Sequence, residues 1–208
     1  MAGMAAISSE TELRALHPPP KERTLRKQLD RVDRHCRRFI ELSPFVVMAT
    51  ADAEGHMDAT PRGGEPGFVR VADERTLLLP DRPGNRLADS LRNVLENPHV
   101  ALIFIIPGIS DTFRVNGRAT IVEDPELLEP CAVEGKVPTL GLRIKVDEAY
   151  THCPKAFLRA RLWDPEAYAD RSELPSSGEL MRSVGADVDP KQYDAERAER
   201  YARREGFY

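Results

Sequence analysis

What most constrains this chain is a series of short, β-branched runs separated by turns too brief to hold crossovers. FVVMATA (45–51) is followed, after the turn Asp52-Ala-Glu-Gly55, by HMDATPRG (56–63). GFVRVAD (67–73) and TLLLP (76–80) are joined through Asp73-Glu74-Arg75. HVALIFIIP (99–107) and the alternating TFRVNGRATIVED (112–124) make another pair, and LGLRIKVDEAYTHC (140–153) is a last strand. Runs of this length and composition read as strands. Hairpin links make neighbours antiparallel. The expected fold is therefore mainly β with helices (α+β), an antiparallel barrel and not a parallel sheet with crossovers.

The helices stand around that barrel. Ser8 and Ser9, followed by Glu10 and Glu12, predict a helix over 8–16, with hydroxyl caps and acids in its first turn. Pro18-Pro19-Pro20 ends it. Leu25, Leu29, Val32, Cys36, Phe39 and Ile40 recur at three- and four-residue steps and predict one helix over 21–42. Leu87, Leu91, Val94 and Leu95 predict a helix over about 85–97, stopped by Asn97-Pro98 and placed to plug or cover a barrel opening. Asp124-Pro125 opens a short helix, another follows Pro154, and PSSGELMRSVG and DPKQYDAERAERYARREG predict two surface helices packed on the barrel or a partner subunit. The expected organisation is an N-terminal helical extension (1–42), a barrel domain (43–165) and a C-terminal helical tail (166–208).

Composition narrows the function classes. With a formal net charge of −4, the chain has no broad basic field to capture a nucleic-acid backbone. Net charge is silent, however, on a local arginine cluster that could hold a small anion. Cys36, Cys131 and Cys153 form no CxxC and are odd in number, a poor disulfide framework expected as reduced thiols. MAGMAAISSETEL lacks a basic segment followed by a long apolar run, so it is not a secretory signal. No stretch approaches the roughly 20 apolar residues of a membrane span. The expected location is the cytoplasm, with neither membrane nor nucleic acid as partner.

Three segments can carry chemistry. Arg62-Gly63-Gly64 ends a strand; its glycines permit close backbone approach and its guanidinium suits phosphate, although an ordinary turn is the plainer reading of these letters alone. In LLLPDRPGNRLADSL a strand enters a tight turn and Asn85-Arg86 opens a helix. Free amides and the positive dipole end make such a place a phosphate site, and Arg62, Arg82 and Arg86 could converge on one anion. The plainer alternative is that Asn85 only caps the helix. In THCPKAFLRARLWDP, Lys155, Arg159 and Trp163 at i, i+4, i+8 fall on one helix face, suited to an anionic planar ligand. The alternative is a Trp163 that anchors the tail while the cations snorkel. His152 and Cys153 lack the further ligands that a metal site needs, and Cys153 lacks the base and oxyanion hole of a nucleophile.

In order and spacing, FVVMATADAEGHMDATPRGGEPGFV, LLLPDRPGNRLADSLRNVLENPHVALIF and FRVNGRATIVED resemble the pyridoxamine 5'-phosphate oxidase-like split β-barrel flavoproteins, over roughly residues 40–165. Arg62, Asn85, Arg86, Asn97-Pro98 and Asn116-Gly117-Arg118-Ala119 occupy the family's places. Asn85-Arg86 replaces the usual Ser/Arg-Lys at the phosphate turn and keeps a polar group and a cation. HCPKAFLRARLWDP is similar to a subgroup of FMN-dependent relatives. It stands in place of the substrate motif of true pyridoxamine phosphate oxidases, a departure that argues against vitamin B6 oxidation.

The resemblance implies an FMN-binding homodimer with two flavin sites between subunits. Arg62, Gly63, Leu79, Pro80, Asp81, Arg82, Asn85 and Arg86 would bind the cofactor from one chain. Thr112, Arg114, Lys155, Arg159 and Trp163 would come from either chain. It also implies an FMN-dependent oxidoreductase acting on a small, anionic, planar substrate, in which no protein nucleophile or metal is needed. His152 is the candidate proton donor, histidine being the side chain suited to proton exchange near neutrality. The alternative is a non-catalytic flavin or deazaflavin carrier. A haem carrier would need an axial ligand, for which His152 and His56 are the candidates.

Overall fold

In a computed structural model of the chain, which describes residues 6–208, seven strands make one sheet. They are β1 (Phe45–Ala51), β2 (Met57–Gly63), β3 (Arg70–Asp73), β4 (Thr76–Pro80), β5 (His99–Ile105), β6 (Thr112–Val122) and β7 (Gly141–His152). Their spatial order is β2-β1-β5-β6-β7-β4-β3, with every neighbouring pair antiparallel. The edge strands β2 and β3 do not pair with each other, so the barrel is split and not closed. This is the antiparallel α+β architecture that the strand pattern anticipates, in the split-barrel form that the family resemblance implies. Residues 1–5, where the N-terminal extension begins and where part of the signal reading falls, lie outside the described residues.

Alternation fixes which face is inside. β1 buries Val46, Met48 and Thr50, β5 buries Val100, Leu102 and Phe104, and β6 buries Phe113 and Val115. Phe104 and Phe39 both pack on Phe113, with ring centroids 6.0 and 5.9 Å away. Each such side chain contributes about 1.5–3 kcal/mol on burial. The β6–β7 ladder shifts register between Asn116 and Gly117. A Cβ at Gly117 would stand 2.2 Å from the Lys145 carbonyl oxygen, so the close approach there requires glycine.

The helices are α1 (Glu10–Leu16), α2 (Glu22–Leu25), α3 (Arg34–Leu42), α4 (Asp89–Glu96), α5 (Pro125–Leu128), α6 (Lys155–Ala160), α7 (Ser177–Ser183) and α8 (Pro190–Ala202). Ser9 caps α1 as expected of its hydroxyl, and Glu12 returns the bond to the Ser9 amide, making the cap reciprocal. The single helix expected over 21–42 is instead two, α2 and α3. Leu29 leaves helical geometry to exchange backbone hydrogen bonds with Ala149 at 3.0 and 2.7 Å. Val32 N–H donates to the Glu74 carbonyl at 2.7 Å. Asp33 then restarts the chain as the cap of α3, accepting from the His35 and Cys36 amides. The apolar stripe is real, since Val32, Cys36 and Ile40 are buried, but a β-bridge interrupts it.

Helix α4 covers the inner side of the sheet against β1, β2 and β6. It is shorter than expected, beginning at Asp89 and not at Asn85. Leu128, from α5, sits where a Cβ on Gly141 would meet it at 2.6 Å. Helices α7 and α8 form a close hairpin. The Gly178 amide donates to Asp194 Oδ1 at 2.8 Å, and a Cβ at Gly178 would lie 2.3 Å from the Pro190 carbonyl oxygen. Among the described residues no helix is long and apolar enough to cross a membrane.

Candidate functional site

The open seam between β2 and the end of β4 leads into a groove of about 1300 Å³. Arg62, Thr60 and Asp58 reach it because they pair with Val46, Met48 and Thr50 of β1, and so lie on the core side of an edge strand. Pro80, Asp81 and Arg82 reach it from the end of β4, and Asn85, Arg86 and residues 87–91 from the loop and first turn of α4. Residues far apart in sequence, at 62, 82 and 86, thus line the same groove. Gly63, Pro80, Asp81 and Asn85 line it with them. Leu79 does not. Its side chain is 2% exposed, within the core.

The cations are held in different ways. Arg62 Nη1 donates to Asp81 Oδ1 at 3.2 Å. Arg82 Nη2 donates to the Cys131 carbonyl at 2.7 Å, so it ties β4 to the short 3-10 turn at Glu129–Cys131. The Nε–H groups of Arg62 and Arg82 are buried and, among the described residues, meet no acceptor. An unpaired buried donor costs about 1–3 kcal/mol, which an anionic oxygen in the groove would offset. The rim is not uniformly positive. Asp58, Asp81 and Asp89 line it too, although Asp58 accepts from Ser90 Oγ at 2.8 Å and Asp81 from Arg62.

The turn before α4 departs from expectation. Asn85 is not the helix cap: its Oδ1 accepts from the Leu87 amide at 3.0 Å. Arg86 and Ala88 both take left-handed backbone angles, φ 63 and 58, a conformation that costs a non-glycine residue about 1–2 kcal/mol. Ala88 occupies the cap position and offers no side-chain hydrogen bond. The first turn of α4 thus lines the groove with no side-chain cap on its amides, at the positive end of the helix. Buried orphan donors, an uncapped helix start and a groove of this volume fit a phosphate-bearing ligand of flavin size.

The second set of candidate residues lies outside this groove. Thr112 is buried and pairs with His152, Arg114 pairs with Tyr150, and Lys155 and Arg159 are exposed on α6. Trp163 does not extend a Lys–Arg–Trp helix face. Helix α6 ends at Ala160 because Arg161 turns left-handed, with φ 49. Trp163 instead donates from Nε1 to the Ile109 carbonyl at 3.0 Å and packs on Phe157, ring centroids 5.9 Å apart. It fastens the segment after α6 to the β5–β6 loop, the anchoring alternative. Arg114 sits 5.3 Å over the Tyr150 ring, with its own Nε buried and without an acceptor among the described residues. Neither His152 nor His56 lines the groove, and no other described histidine does.

Sequence reasoning missed the tail's share of the groove. Tyr201, Arg204, Phe207 and Tyr208 line it, and the guanidinium of Arg82 lies 5.2 Å from the Tyr208 ring centroid. The signal was present in YARREGFY, where aromatics and arginines gather in an otherwise polar tail.

A family model described as pyridoxamine 5'-phosphate oxidase matches residues 32–153, more than half of the chain. No curated protein matches it. Among solved structures it is similar to HupZ of Group A Streptococcus (18% identity, covering 58% of this chain and 93% of that one, TM-score 0.47). It is similar also to an FMN-binding protein from Syntrophomonas wolfei (13%, 56% and 83%, TM-score 0.45). A third likeness is to HutZ, the heme storage protein from Vibrio cholerae (15%, 59% and 94%, TM-score 0.41). The matched residues span all seven strands, from Val32 before α3 to Cys153 after β7, and on that match the chain belongs to the pyridoxamine 5'-phosphate oxidase family.

Proposed function

We propose that the protein is an FMN-dependent oxidoreductase that works as a homodimer on a small, anionic, planar substrate. The observation that carries the reading is that Arg62, Arg82 and Arg86 line one groove together with the uncapped start of α4, two of these arginines holding a buried Nε–H that meets no acceptor among the described residues. Arg62, Arg82 and Arg86 grip the phosphoryl group and the α4 amides complete its shell. Bound FMN supplies the hydride or electron transfer. The chain binds and orients it, and His152 at the end of β7 holds the proton exchanged with substrate.

The dimer is supported by the outer face of the sheet. Phe45, Val47 and Ala49 stand in register with Ile105, Ile103 and Ala101, on the side away from the buried residues of β1. This apolar strip continues to Arg114 and Tyr150. A second copy seated there covers the strip and brings the His152, Lys155 and Arg159 end of one subunit towards the groove of the other. That arrangement reunites the two sets of candidate residues that a single chain keeps apart.

The purified dimer is expected to carry a flavin absorbance spectrum, and the Arg62→Ala/Arg86→Ala double variant to lose it while remaining dimeric. A double variant that still retains FMN refutes the site. A deazaflavin spectrum in the wild type replaces the cofactor and keeps the site.

A further inference from the structure

The barrel gives the groove charge, amides and small side chains, but almost no aromatic surface. Phe68, the barrel's aromatic residue in its lining, is 5% exposed. The other lining aromatics, Tyr201, Phe207 and Tyr208, belong to the end of α8 and the turn after it. That turn is built by two left-handed residues, Arg204 (φ 53) and Gly206 (φ 77), which bring Phe207 and Tyr208 to the rim. The Tyr208 ring lies 5.2 Å from the Arg82 guanidinium carbon and 5.5 Å from that of Arg204. Phe207 meets Tyr201 edge-on at 5.8 Å.

These contacts make the segment a wall, not a plug. With it seated, the open groove still offers about 1300 Å³, more than the ~300–1000 Å³ of ordinary ligand pockets. One side is then cationic and the other aromatic, two surfaces that a planar ring joined to a phosphate satisfies together.

We propose that Tyr208, backed by Phe207 and Tyr201, is the ring-binding wall of this groove and selects planar aromatic phosphate esters over non-aromatic ones. The proposal rests on the reading of the arginine rim as a phosphate site. It differs from that reading in assigning ring recognition to the tail and not to the barrel.

The test compares the wild-type protein with Tyr208→Ala and Tyr208→Phe, titrated with FMN, ribose 5-phosphate and inorganic phosphate. Tyr208→Ala is expected to weaken FMN about 3- to 10-fold, in line with the loss of one aromatic contact, and to leave the two non-aromatic phosphates unchanged. Tyr208→Phe is expected to bind FMN as the wild type does. Emission of bound FMN, quenched by the stacked ring, is expected to recover partly in Tyr208→Ala. If FMN binds wild type and Tyr208→Ala equally, the wall is wrong and the phosphate site stands. If all three ligands weaken together, Tyr208 acts only by holding Arg82 and the proposal is overturned. Wild-type protein that binds none of the three overturns both readings.

Discussion

Arg62 and Asp81 meet across the seam where the sheet fails to close, Nη1 to Oδ1 at 3.2 Å, joining edge strand β2 to the end of β4. Each side chain keeps about a quarter to a third of its surface exposed, 24% and 32%. At that exposure the pair adds little stability, about 0–1 kcal/mol. Its larger effect is on the groove, where Asp81 competes with any anion for Arg62. Asp81→Asn is therefore expected to tighten inorganic phosphate and FMN about 2- to 5-fold at low ionic strength, by the worth of one exposed charge contact. The gain is expected to shrink as salt rises. Titrations at two salt concentrations check this; equal or weaker binding by the variant means that the two charges do not compete.

The β6–β7 bulge makes a separate prediction about folding. Gly117→Ala would place a methyl group 2.2 Å from the Lys145 carbonyl oxygen and 3.2 Å from Ile144 Cγ2. Backbone cannot move aside as a flexible side chain would, so the ladder itself must shift. We expect a loss of about 1–3 kcal/mol or more, read as a lower denaturation midpoint. Gly108→Ala is a useful contrast, since among the described residues no atom beyond its chain neighbours lies within 4 Å of a Cβ there but φ is +82. Its cost is expected to be the left-handed backbone alone, about 1–2 kcal/mol.

The strands were legible because β-branched runs and short turns are local signals; TFRVNGRATIVED also alternates on paper, whereas β1 and β5, apolar throughout in sequence, bury only every second residue in the fold. What was not legible depends on distant partners. The stripe from Leu25 to Ile40 fits a continuous helix, yet Leu29 bonds with Ala149, a partner 120 residues away that no periodicity reveals. Asp33 carried a cap signal that the helical pattern masked. The turn before α4 hid its left-handed residues because Arg86 and Ala88 are not glycines. Trp163 kept helical spacing on paper, but Arg161 ends the helix by a backbone angle and not by a recognisable stop residue. Of the candidate site, the Arg62, Arg82 and Arg86 rim was readable from motif order, whereas Tyr208 reaches it through tertiary packing alone.

Asp33 connects a helix cap to acid sensitivity. Its carboxylate accepts from the Cys36 amide at 2.8 Å and the His35 amide at 2.9 Å. The Cys36 hydrogen bond is the main reason its pKa lies below the usual aspartate value, against an opposing push from burial. A depressed folded pKa adds stability that is fully present above the unfolded value, about 3.9, and is lost as pH falls through the folded value. Asp33→Ala is expected to cost about 1 kcal/mol at pH 7. The gap to wild type should narrow below about pH 4 as the wild-type cap protonates. Asp33→Asn should keep most of the cap and flatten the pH dependence. Urea denaturation of the three proteins at pH 7 and pH 3 reads both effects, and a gap that widens in acid contradicts the assignment.

The thiols divide by environment. Burial pushes the Cys36 thiol up to about 12, and the neighbouring Asp33 carboxylate adds to that effect. Burial also raises Cys131, partly offset by the positive charges of Arg70 and Arg82. Because the thiolate is the reactive form, both should resist alkylation while the protein is folded. Cys153 is exposed, between His152 and Pro154 at the end of β7. Native protein treated with iodoacetamide near pH 8 is therefore expected to take up one label per chain, at Cys153, and denatured protein three. Labelling of Cys36 or Cys131 in the native state contradicts their burial. The same reaction probes the proposed dimer: if the His152 end of one subunit closes on the partner's groove, FMN should slow labelling of Cys153 without affecting the denatured control. A rate unchanged by saturating FMN would leave Arg62, Arg82 and Arg86 as the phosphate rim but remove His152 from the vicinity of the flavin.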